Sequence, residues 1–171
     1  MKKLKKGERG FTLIEMLVVL TLIGIITAGI TAAISQVLTI NTRASNHMIA
    51  VRQVQQAGKE VSKDTLQAQN VTYTEDPLFL LTLAWIDSDG AKNAVNYTIE
   101  DNKLQRSQSI DGGSPNLRVI AQYIDTYQTS CTPVGLLPDD SALSFKVTST
   151  VGNGPYEAIE TRIYEIEPRP G

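Results

Sequence analysis

One cysteine, one histidine and one tryptophan in 171 residues remove several possibilities at once. Cys131 has no partner for an internal disulfide, so an exported body would have to hold its core without covalent staples. This lone thiol is expected in or near a loop, and no His or charged neighbour in sequence is there to activate it. His47 has no second ligand in view, which leaves it as a surface or packing residue. No proline precedes Pro77, so nothing before it forces a helix to stop. Charge is missing altogether from Met16 to Thr42, a run of 27 residues. An ordinary surface helix would carry a polar, charged face over such a length.

The charge that is present is unevenly placed. The first ten residues take five of the sixteen basic side chains (Lys2, Lys3, Lys5, Lys6, Arg9) and one of the eighteen acids, Glu8. That leaves eleven basic against seventeen acidic residues in the rest, a net of −6. An acidic body does not fit direct nucleic-acid binding, which calls for basic clusters on the folded domain. A short basic head does fit membrane topology, because such flanks stay on the cytoplasmic side.

The segment Met16–Ile26 is apolar nearly all round, and the uncharged run exceeds the roughly 20 residues a helix needs to cross a bilayer core. Beyond it the pattern turns amphipathic. Ala44, Met48, Val51, Val54, Gly58, Val61, Thr65 and Ala68 recur at spacings of three and four, while Asn46, Gln53, Gln56, Glu60, Lys63 and Gln67 fall on the other side. The reading is one helix from about Phe11 to about Asn70, roughly 90 Å at 1.5 Å per residue. A break near Asn41-Thr42 is the alternative, and Gly24 and Gly29 weaken the helix locally.

After Pro77 the period changes to that of strands. Leu78–Ile86 reads as a buried strand, followed by a turn at Asp87-Ser-Asp-Gly90 and alternation at Val95, Tyr97 and Ile99. Lys103–Ser107, Leu117–Tyr127, Leu143–Val151 and Tyr156–Ile166 are further strand candidates. Loop signals separate them at 111–115, 138–141 and 152–155. The expected fold class is α+β: a long N-terminal helix whose amphipathic half covers one antiparallel, hairpin-connected sheet. The expected organisation is a leader at 1–10, an apolar helical half at 11–40, an amphipathic half with its connection at 41–76, and a sheet domain at 77–171.

The junction at the head carries the functional signal. Residues 5–16 read Lys-Lys-Gly-Glu-Arg-Gly-Phe-Thr-Leu-Ile-Glu-Met. A secretory signal places its apolar run before the cut. Here the basic stretch meets Gly10-Phe11 first and the apolar run follows, so cleavage there would remove the charges and keep the greasy helix. Glu15 is the only charge at membrane depth, where a lone acid costs on the order of 2.5–3.5 kcal/mol on insertion scales. It lies four residues from the amino terminus that cleavage would create at Phe11. Gly24, Ala28 and Ala32 form a row of small residues, and Thr27, Thr31, Ser35 and Thr39 another, as close helix packing would use and as membrane helices often show.

Glycine, phenylalanine, threonine-leucine-isoleucine-glutamate and a long apolar run resemble the type IV prepilin signature, here Gly10, Phe11, Thr12-Leu13-Ile14 and Glu15. The resemblance covers the first quarter of the chain closely and the remainder only in architecture. It implies that a prepilin peptidase cleaves between Gly10 and Phe11 and methylates the amino group of Phe11. It implies that the helix packs in the core of a fibre, with Glu15 paired to the amino terminus of a neighbouring pilin or pseudopilin subunit. Membrane lipid before assembly and an inner-membrane assembly platform are the other expected partners. The expected location is the cytoplasmic membrane, single-pass with the amino terminus in the cytoplasm, and then the pilus or pseudopilus.

Major pilins usually carry a cysteine pair near the C-terminus and often a proline midway along the apolar segment; this chain has neither. The run at 51–64 and the hairpin Tyr97–Arg106 are similar to W-type minor pilins and J-type minor pseudopilins, and Glu15 argues against the outermost tip subunit. A major pilin and a membrane-tethered binding module are the alternatives, and a tethered hydrolase is a third. The acids at 87–90 and at Asp139-Asp140 are too short for an EF-hand-type loop and read as turns. No nucleophile–base set, phosphate loop or metal cluster stands out, so neither enzymatic activity nor a cofactor is expected.

Overall fold

The apolar and amphipathic runs form one helical element, α1 (Leu13–Thr65), in a computed structural model that describes residues 12–73, 79–134 and 142–168. The chain divides into two units between Asn41 and Thr42. In the first, the large apolar side chains stand exposed along the whole helix, from Leu13 at 84% through Ile23 and Ile30 to Ile40. Ile, Val and Thr are indifferent helix formers in water, so propensity alone does not explain this half. An apolar environment would impose it, because there every backbone polar group must be satisfied within the segment, and a helix achieves that.

In the second unit, the helical residues from Thr42 on pack against antiparallel strands, and the architecture is α+β. The strands β1 (Asn70–Tyr73), β2 (Phe79–Ile86), β3 (Lys92–Glu100), β4 (Lys103–Ile110) and β5 (Asn116–Gln122) form a meander in sequence order. The strands β6 (Ser130–Pro133), β7 (Leu143–Val151) and β8 (Ala158–Ile166) form a second sheet. The expected single sheet is therefore two. Tyr123 adopts a left-handed backbone, φ 60°, and turns the chain out of the first sheet. An isolated bridge, Ile124 to Ser149, then ties the end of β5 to β7, with Asp125 N–H donating to Thr148 O and Thr150 N–H to Tyr123 O at 2.9 Å each.

The core lies between α1 and both sheets. Val54, Ala57 and Val61 meet Leu83, Val95, Tyr97, Ile99 and Leu104 of the first sheet and Leu143, Phe145 and Val147 of the second. Fully burying one such side chain is worth about 1.5–3 kcal/mol. Gly58 lets the Tyr164 ring lie against the helix: a Cβ there would overlap Tyr164 Cζ. The same tyrosine donates its hydroxyl to Val54 O at 3.2 Å.

Several limits move. The helix stops at Thr65 instead of near Asn70, because Asn70–Tyr73 leaves it to pair with Leu81–Ala84. The buried stripe begins at Ala50, includes Ala57, and leaves Ala44 and Met48 exposed. Of β2, Thr82 and Ile86 are exposed, so that strand is buried on one face only; Leu78 lies outside the described residues. The strand expected to reach Tyr127 ends at Gln122, and the one expected from Tyr156 begins at Ala158 after a short 3-10 turn at Gly154–Tyr156. Cys131, expected in or near a loop, sits buried on the short strand β6.

Candidate processing and assembly segment

Gly10 and Phe11, the expected cleavage and methylation positions, lie outside the described residues. Thr12 is the first described residue, and it caps α1. Glu15 N–H donates to Thr12 Oγ1 at 3.3 Å, while the Thr12 hydroxyl and N–H reach Glu15 Oε2 at 3.4 and 3.5 Å. This reciprocal arrangement is a capping box, Thr-x-x-Glu, a signal that can be read in the sequence at Thr12-Leu-Ile-Glu15. Glu15 therefore has a local task besides any intermolecular one. Its carboxylate lies in the first turn, where the helix dipole favours a negative charge.

The next turns show how polar atoms are accommodated in an apolar segment. The hydroxyls of Thr21, Thr27, Thr31 and Thr39 donate to the carbonyls of Leu17, Ile23, Thr27 and Ser35, at 2.8, 2.8, 2.9 and 3.0 Å. Each is satisfied by its own helix four residues back, so a low-dielectric setting leaves none of the four orphaned. Around Gly24 and Gly29 there is open space for a Cβ, so within the helix itself nothing requires glycine. By length and composition α1 is able to cross a membrane.

The other residues singled out from the sequence do not converge. His47 is exposed and lies 3.6 Å from Glu160. Asp87 closes the β2–β3 turn, its N–H donating to Ala91 O and its carbonyl accepting from Gly90 N–H, both at 2.9 Å. Asp139 and Asp140 lie outside the described residues. Burial pushes the Cys131 thiol up to about 12. Among the described residues no three His, Cys, Asp or Glu side chains gather as a metal site.

Sequence reading missed the polar cluster that fastens the end of α1. Asp64, not singled out from the sequence, is 4% exposed in its side chain and accepts from Arg106 Nε at 2.6 Å, Arg106 Nη2 at 3.2 Å and Tyr97 Oη at 2.6 Å. The chain of bonds continues from Arg106 Nη1 to Gln108 at 2.9 Å, from Gln108 Nε2 to Asn93 at 3.0 Å, and from Asn93 Nδ2 to Asp87 at 3.3 Å. Burial works against the Arg106 charge, but the hydrogen bonds and charge of Asp64 outweigh it and raise the pKa. Burial, then the Asp64 carboxylate, push the Tyr97 phenol well above its usual range. A carboxylate at a helix C-terminus opposes the dipole, and Arg106 offsets that. The cluster is structural glue, because its acceptors are already occupied. Two polar side chains of α1 add tethers: Asn46 donates to Tyr156 O at 2.8 Å, and Gln53 accepts from Gln122 N–H at 2.7 Å.

The prokaryotic N-terminal methylation motif matches residues 5–31, the span that holds Gly10, Phe11, Glu15 and the start of the apolar run. No curated protein and no solved structure matches the chain. The motif implies processing by a prepilin peptidase and assembly with other pilins, and together with the apolar helix it supports membrane anchoring. The match on this N-terminal segment supports a type IV prepilin-like protein, a pilin-like subunit.

Proposed function

We propose that this chain is a minor structural subunit of a pilus or of a secretion or competence pseudopilus, cut between Gly10 and Phe11 and methylated on Phe11. The observation that carries this reading is the methylation motif at residues 5–31 running directly into a helical half that is apolar on every side. The basic head supports an amino terminus in the cytoplasm and a body on the far side of the membrane. The minor assignment rests on the unpaired Cys131 and the absence of proline along α1. The protein has no catalytic task of its own in this reading, and its partners are the peptidase, the assembly platform and sibling subunits.

Glu15 carries the assembly role. In a low-dielectric helix bundle it is the one acid able to accept the Phe11 amino group of a neighbour, where a charge pair is worth far more than at a wet surface. It also sets axial register, since apolar helices slide past one another at little cost until charges meet. Glu15→Ala is expected to insert and be cleaved but to enter the assembly poorly. Crosslinking to sibling subunits, beside a cleavage assay, measures both. Because Thr12 and Glu15 also cap the helix, Glu15→Gln separates the roles: it keeps hydrogen bonding in the cap and removes the charge. Normal incorporation of both variants would move the reading to a membrane-tethered binding module.

A further inference from the structure

The place where the chain leaves the first sheet and joins the second holds a cavity of about 380 Å³, inside the 300–1,000 Å³ range of small-ligand sites. It is lined by Asn102, by the segment Tyr123–Tyr127, and by Thr150 and Gly152. Two tyrosines flank it, and both leave much of their surface in solvent. Tyr127 is 93% exposed, and Tyr123 is 46% exposed on a left-handed backbone that a bulky residue adopts only under strain. Thr150 borders the cavity through its other atoms, because its hydroxyl oxygen is buried away from solvent.

The lining narrows the ligand class. Among the described residues no Lys, Arg or His lines it to hold a phosphate or a carboxylate. Asp125, the charged residue of that described lining, has both oxygens engaged: Oδ1 accepts from Tyr127 N–H at 3.0 Å and Gln128 N–H at 3.1 Å, and Oδ2 from Gln128 Nε2 at 2.9 Å. A cation would have to break those bonds. Ile124 is fully buried and gives no open apolar floor for an aliphatic anchor. What remains is neutral hydrogen bonding from the Asn102 amide and the Thr126 hydroxyl, beside two aromatic rings. A sugar ring matches that set, with hydroxyls around its edge and C–H faces that stack on tyrosine.

We propose that this cavity is a binding site for a neutral saccharide. The proposal does not depend on the pilin reading, since it rests on residues of the second unit alone. The test uses the full chain in micelles of a zwitterionic detergent without a sugar headgroup. Maltose, lactose and N,N′-diacetylchitobiose are titrated separately and followed by saturation-transfer NMR. At least one is expected to bind, with transfer to its ring protons. Tyr127→Ala, at a side chain too exposed to matter for folding, is expected to weaken that binding about tenfold, and Tyr127→Phe to keep it. Thr150→Val is expected to leave binding unchanged and the fold intact or firmer, because it removes an unpaired hydroxyl buried out of the ligand's reach. Failure of all three sugars, binding unaffected by Tyr127→Ala, tighter binding of sialyllactose than of lactose, or binding of a proline-rich peptide in their place would each overturn the proposal.

Discussion

Residues 13–41 and 42–65 belong to one helical element, yet they solve opposite problems. In the first stretch apolar side chains point to every side and the threonine hydroxyls bond back to their own backbone. In the second, one face is buried under two sheets while Arg52, Lys59 and Lys63 stay exposed on the other. Helix is imposed in one stretch by the need to satisfy the backbone in apolar surroundings, and in the other by packing. A substitution should therefore fail for different reasons in the two stretches.

The strongest way to break the comparison is an aspartate in each. Val54 is fully buried, so Val54→Asp is expected to cost about 4 kcal/mol or more and unfold the body, read by chemical denaturation of the micelle-bound chain. Val51 is only half-buried, so Val51→Asp should be clearly milder. Ile23→Asp should leave the body's denaturation unchanged and instead lower membrane insertion by about 2.5–3.5 kcal/mol. Loss of body stability by Ile23→Asp, or none by Val54→Asp, would dissolve the distinction.

The buried cluster sharpens the comparison within the second stretch. Asp64→Ala strands Arg106 in a partly buried site and is expected to cost about 3 kcal/mol, the low end for a broken buried pair. Asp64→Leu combined with Arg106→Met should recover most of that loss, since no charge is then left buried. A double variant as unstable as the single one would show that the cluster's geometry, and not its charge balance, holds the helix end.

How much of this could be read in advance follows from the range of each signal. The apolar run, Val54, Gly58, Val61 and the hairpin from Tyr97 to Arg106 are local patterns, and they stand as read. Ala50 and Ala57 were missed because alanine is as common on an exposed helix face as on a buried one. The helix end was misplaced because Gln67-Ala-Gln-Asn70 offers no stop signal; pairing with Leu81–Ala84, more than ten residues away, decides it. The split into two sheets turns on Tyr123 taking a left-handed backbone, which no tyrosine advertises. Asp64 looked like one more polar residue, and only Arg106, 42 positions on, makes it a buried anchor. Of the processing segment, the motif was fully legible because it is contiguous, and the Thr12–Glu15 cap could have been read as well.

The smallest effect is one of pH. The Cys131 thiol ionises near 9.0 in the unfolded chain but only near about 12 in the folded one, because burial disfavours its thiolate. The unfolded state thus loses this proton first, so the contribution is complete below pH 9 and is lost as pH rises toward 12, by about 1.4 kcal/mol per pH unit. Tyr97 adds a loss of the same sign above its ordinary value of 10.0. Unfolding curves between pH 8 and 11 (a range chosen to bracket about pH 9, where the loss begins) should show it, and Cys131→Ala should flatten the first part. An unchanged profile in that variant would place the alkaline sensitivity elsewhere.

The central claim is that the apolar half of α1 is kept as a working part after its basic head is removed. Amino-terminal mass spectrometry of protein extracted from membranes of cells with an active prepilin peptidase tests this most directly. The account predicts a mature chain that begins at Phe11 and carries a methylated amino group, with Gly10→Val blocking its appearance. A chain that still begins at Met1, or one cut within the apolar run 16–42, would contradict it.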